Sequence, residues 1–160
     1  MDLSTEGGAA IRQLLDIEAI KQLKARYCFS VDAGDWDTLE QLWTEDACCD
    51  YGFFGRFEGR SRIIDVFFRQ LVANATSFNA HMVHNPMIEI DGDTARGTWY
   101  LTAQTIIQPQ NQAIWAMGVY RDEFHRVDGN WKIAALNVEF KYYTPFEDGW
   151  AKTRIWEIPS

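Results

Sequence analysis

Histidine and cysteine are scarce in this sequence, with three of each in 160 residues. The histidines are His81, His84 and His125, and no HxH, HExxH or CxxC spacing occurs. The common metal-ligand patterns are therefore missing, and no metal site is expected. Cys28, Cys48 and Cys49 form no disulfide framework. Their use suits a reduced, cytoplasmic protein, with Cys28 packed in a helix. There is no GxGxxG after an expected strand, no phosphate loop and no GxSxG elbow, so no cofactor is expected. Basic charge is also short: the net charge is −8. That balance argues against nucleic acid and anionic membrane as partners. No apolar run reaches the ~18 residues that span a bilayer. The opening "MDLSTEGGAA" lacks the basic and apolar regions of a signal peptide. Repeats, low-complexity tracts and linkers are absent, so residues 1–160 read as one domain.

Aromatic residues are plentiful instead: 10 Phe, 7 Trp and 6 Tyr. Such rings fill a core or line a cavity. Asp16 can cap a helix running to about Asp32, with Ile17, Ile20, Leu23, Tyr27 and Val31 on one apolar face. Gly34 suits the position after its end, and Asp35 can cap a second short helix. There Trp36, Leu39, Leu42 and Trp43 share a face. "ACCDYGFFGRFEG" reads as a strand, a turn and a short return. Ser61 can cap a third helix, striped by Ile63, Ile64, Phe67, Phe68, Leu71 and Val72. Strands are expected near 81–90, 95–108, 113–126 and 131–143, joined by "DGD", "PQNQ" and "VDGN" turns. Helices followed by a long antiparallel meander make an α+β fold with helices on one sheet face. Long twisted strands curl, and a curled sheet closed by helices makes a cone with an interior pocket.

Acid–base chemistry is what the remaining residues allow. Histidine moves protons best near neutral pH, and a carboxylate on its far nitrogen fixes its tautomer. Asp32 lies where the first helix ends, at the edge of its buried face. It either holds such a histidine or is solvated there. Tyr27 and Tyr51 are either core tyrosines or donors to a ligand oxygen. Strand parity groups His84 with Ile88 and Ile90, and His81 with Met87 and Glu89. A bulge at Asn85-Pro86 would reset that parity. Parity alone leaves both His81 and His84 open as the inward residue.

The segments "DIEAIKQLKARY", "VDAGDWDTLEQLW", "HMVHNPMIEIDGDTARGTWYL" and "VYRDEFHRVDGNWKIAALN" together carry a resemblance. In their order and spacing the chain resembles the SnoaL-like family of the nuclear transport factor 2 and ketosteroid isomerase superfamily. Within it, the pattern is most similar to scytalone dehydratase, bile acid 7α-dehydratase and hexachlorocyclohexane dehydrochlorinase. The resemblance implies a cone-shaped α+β barrel with a deep pocket and cofactor-free catalysis by Asp32 and His81, with Tyr27 and Tyr51 as pocket tyrosines. Val31, Thr105, Gly118 and Tyr120 stand where scytalone dehydratase has further polar groups, and Phe140 replaces an arginine of the bile acid enzyme. A mostly apolar ligand-binding shell of Trp43, Phe54, His84, Trp99, Thr105, Tyr120 and Phe140 is then expected. It suits a small hydrophobic, cyclic substrate with one or two oxygens. The expected activity is that of a lyase or isomerase. The alternative is a ligand carrier, or an accessory β subunit of a ring-hydroxylating dioxygenase. The tail 144–160, with Trp150 and Trp156, should dock over the pocket mouth or on a neighbouring protomer. A homotrimer is expected, with a dimer second.

Overall fold

The computed structural model describes residues 6–158. Helix α1 (Glu6–Ala33) begins ten residues before the expected cap, so Asp16 lies inside it. There the Asp16 carboxylate accepts hydrogen bonds from Trp131 Nε1 and Arg126, each at 2.9 Å, and ties α1 to the sheet. The helix stops as the sequence dictates. Gly34 takes φ 66°. Its N–H bonds the Val31 carbonyl while Asp35 N–H bonds that of Ser30, a paired closure that only a left-handed residue permits. Asp35 then caps α2 (Trp36–Gln41) through the N–H of Thr38 at 3.1 Å. Trp43 is not on that helix; it opens β1 (Trp43–Asp50) and is fully buried.

A short 3-10 turn (Gly52–Phe54) leads to β2 (Arg56–Glu58). The third helix is wound as a π-helix over Arg62–Val72 and ends in one α turn, α3 (Ala73–Ala75). Ser61 precedes it but makes no side-chain cap bond. Ile63, Ile64, Phe67 and Phe68 are its buried stripe, whereas Leu71 is exposed. Four long strands follow: β3 (Thr76–Asp91), β4 (Thr94–Ile107), β5 (Gln112–Val127) and β6 (Asn130–Pro145). β3 starts five residues earlier than expected and absorbs most of "NATSFN". The turn between β5 and β6 has Asp128 and Gly129 at φ 49° and 78°, both positive as a tight two-residue hairpin requires.

The strands form one six-stranded sheet in the order β2-β1-β6-β5-β4-β3. All pairs are antiparallel except β1 with β6. The sheet curls but does not close, so it is a cone open along the β2 and β3 edges and not a complete barrel. The three helical segments fill its concave face. The tail adds α4 (Gly149–Lys152), and Ile155 then pairs with Tyr143 of the same chain. Among the described residues no helix is long and apolar enough to cross a membrane.

Candidate active site

The apolar stripe of α1 holds three successive turns that differ in what they meet. Lys24 comes first and is completely buried. Its ammonium lies 2.6 Å from Asp122 Oδ2 on β5 and 3.5 Å from the centroid of the Tyr120 ring. Burial raises the Asp122 carboxyl to about 6, with Lys24 pulling the opposite way. Tyr27 is next, and its hydroxyl lies 2.9 Å from that of Tyr51. Burial raises both phenols well above their ordinary range, so each is a neutral hydrogen-bonding group. One hydrogen bond between two hydroxyls uses one proton and leaves one to donate elsewhere. Val31 and Asp32 end the stripe.

Asp32 grips His81 twice. Its Oδ2 accepts the His81 main-chain N–H at 2.9 Å, and its Oδ1 lies 2.5 Å from ring Nδ1. The side chains of His81 and Asp32 are 19% and 23% exposed. With Nδ1 facing a carboxylate, the neutral form of the imidazole carries its proton on Nδ1, which leaves the Nε2 lone pair free. The β3–β4 ladder shifts between His84 and Met87, where Asn85 takes φ 53°. This bulge changes which parity faces inward. Before it Asn79, His81 and Val83 are partly covered; after it Ile88 and Ile90 are.

A cavity of about 320 Å³ lies against this wall, between the π-helix, the end of α1 and the sheet. His81, Tyr27, Tyr51 and Tyr120 line it, as do Phe54, Thr105 and Phe140. Asp32 does not; it stands behind His81. Three expected shell residues are elsewhere. His84 is exposed, on the opposite side of the strand from His81. Trp43 is sealed in the core with its ring edge-on to Tyr27. Trp99 is buried over Gly97, where an added Cβ would come within 2.2 Å of the indole, and packs on Phe124. Their aromatic rings made them resemble pocket residues, but they lie toward the filled end of the cone. Sequence reasoning also missed Lys24, Asp122 and Asn79. Lys24 could have been found: it falls on the stripe of Ile20, Tyr27 and Val31, where a solvated lysine does not belong. Among the described residues no three His, Cys, Asp or Glu side chains converge as a metal site.

Residues 12–137 match the model of the SnoaL-like domain. An uncharacterised Mycobacterium tuberculosis protein is 29% identical over 125 residues, which are 78% of this chain and 84% of that relative. Hexachlorocyclohexane dehydrochlorinase 1 of Sphingobium indicum is 25% identical over 134 residues, 79% of this chain and 82% of the enzyme. The crystal structure of a type 2 hexachlorocyclohexane dehydrochlorinase superposes with a TM-score of 0.81 at 25% identity, over 86% of this chain and 93% of that one. On its sequence and its curled α+β fold, the chain belongs to the SnoaL-like domain family.

Proposed function

We propose that this protein is a cofactor-independent lyase or isomerase acting on a small hydrophobic ring compound. The single observation that carries the reading is the double grip of Asp32 on His81 at the wall of an apolar cavity. His81 Nε2 takes a proton from a carbon next to an activating group. The imidazolium formed keeps its Nδ1–H on Asp32, which stays ionised and acts as a positioning residue. The hydroxyl proton left over by Tyr27 and Tyr51 donates to the substrate oxygen, where negative charge develops. The mostly apolar lining lowers the local dielectric, which strengthens these interactions. The relatedness to a dehydrochlorinase supports elimination, because proton abstraction is the step that such a reaction needs.

The test uses 2-decalone in D₂O, followed by mass spectrometry for deuterium at the carbons beside the carbonyl. The wild type should exchange well above buffer, and His81→Ala should not. Equal exchange in the two would refute the reading. The carrier and accessory-subunit readings require binding without exchange.

The convex sheet face supports self-association. Phe78, Met82 and Tyr100 are exposed there beside Ile106, Thr102 and Val119 in the strand ladder. An apolar sheet face of this kind suits a second copy, and a homotrimer is the reading we favour over a dimer. Sedimentation equilibrium decides it, with Tyr100→Glu expected to yield monomer. A monomeric wild type would overturn it.

A further inference from the structure

Asn79 stands two residues before His81 on β3 and shares its inward face. The two Cα atoms are one pleat repeat, about 6.6 Å, apart. The Asn79 amide is held at both ends. Thr76 Oγ1 donates to the Val72 carbonyl at 3.0 Å, which occupies its only proton. That oxygen can then only accept, and it takes an Nδ2 hydrogen of Asn79 at 2.8 Å. On the other side Thr105, paired with Asn79 across the ladder, donates to Asn79 Oδ1 at 2.8 Å while also lying 3.0 Å from the Phe78 carbonyl. Each of the two hydroxyls also reaches a backbone carbonyl, so whichever way round the amide sits it spends one Nδ2 hydrogen on one hydroxyl and accepts from the other. Its second Nδ2 hydrogen has no partner among the described residues. Asn79 lines the same cavity as His81, where Leu71, Val72, Ala103 and Ile107 are apolar and Thr76, Thr105 and Gln108 are polar members of the lining. An N–H left over in a mostly apolar cavity discriminates between ligands. An acceptor placed there completes it, and a ligand lacking one leaves it unpaired.

We propose that Asn79 is a specificity-determining residue, whose remaining N–H receives a second acceptor oxygen of the ligand. The cavity then selects ring ketones that carry another oxygen over those with one. Asn79 transfers no proton; it binds and orients. The inference rests on the ring-ketone reading of the same cavity.

The probes are 1- and 2-decalone and decalindiones whose second carbonyl, at least three bonds from the first, is moved around the rings. Calorimetric titration gives the ratio of Kd values, decalone over dione. For at least one position the wild type should prefer the dione about tenfold, a difference one hydrogen bond can supply. Asn79→Leu should bring that ratio to about one. Asn79→Asp keeps the shape and the bond from Thr105, and should turn the ratio below one because a carboxylate then faces the carbonyl oxygen. This second variant decides the matter if Asn79→Leu fails to fold. A dione preference unchanged in the variants, or absent at every position, overturns the proposal. If the parent decalones do not bind, the ring-ketone reading itself fails and the role of Asn79 falls with it. Parent binding separates the two failures.

Discussion

Two charged side chains lie eight residues apart on one stripe of α1, about 12 Å along the helix. Each joins the helix to a strand through a carboxylate and a nitrogen base. The Lys24–Asp122 link is sealed: neither side chain has any exposure, and the rings of Tyr27, Trp99 and Tyr120 surround the ammonium. The Asp32–His81 link sits where the sheet flares, and His81 opens on the cavity. Burying both charges of a pair costs several kcal/mol in desolvation, which the mutual attraction must offset. The sealed pair can only specify how α1 docks. The open one has a free nitrogen facing a ligand-sized space, and there the same kind of contact becomes available for chemistry.

The largest effect is expected at Lys24. Lys24→Met leaves the Asp122 carboxyl buried without its partner, and should lower unfolding free energy by about 3–5 kcal/mol. The double variant Lys24→Met/Asp122→Leu should regain most of that loss, as read by urea denaturation. At the open pair the effects should reverse in kind. His81→Gln should unfold close to the wild type, yet reduce α-proton exchange of 2-decalone about 10²- to 10⁴-fold. Asp32→Asn should give a similar kinetic loss with a fold that still binds the ketone.

Two pH effects sharpen the contrast at smaller scale. Burial places the folded pKa of Asp122 near 6, above the unfolded value of about 3.9. The folded state therefore holds that proton more tightly. The resulting stability is full below about pH 4 and drains away as pH rises through about 6. Denaturation at stepped pH should show this fall in the wild type and not in the Lys24/Asp122 double variant. Asp16 behaves oppositely. The Arg126 hydrogen bond, with that of Trp131, holds its carboxyl below the ordinary value despite partial burial. Its contribution is present above about pH 4 and lost as pH falls through the lowered folded value. Asp16→Asn should cost about 1 kcal/mol near neutrality, and less in acid.

What the sequence revealed of this site depended on local signals. The end of α1 was legible because Gly34 and Asp35 are stop and start residues whose geometry is set within a few bonds. Asp32 was found with it. The parity question at His81 and His84 was visible as well, because Asn85-Pro86 can hardly stay in a regular ladder. The winding of Arg62–Val72 was not legible, since the same stripe serves an α- or a π-helix. The shell was harder still. Trp43 and Trp99 share the chemistry of pocket aromatics, and only the taper of the cone decides that they face the filled end. Lys24 was overlooked because a charge on a helix ordinarily means solvent, and its partner Asp122 is 98 residues away.

In the proposed mechanism Asp32 fixes the tautomer of His81 so that Nε2 faces the cavity as a base. Long-range ¹⁵N–¹H correlation spectra of the imidazoles above their titration range, in wild type and Asp32→Ala, test it most directly. A proton on His81 Nδ1 and a bare Nε2 are expected in the wild type, with the two nitrogens averaging toward a mixture in the variant. A proton on Nε2 in the wild type, or a spectrum indifferent to Asp32, would contradict it.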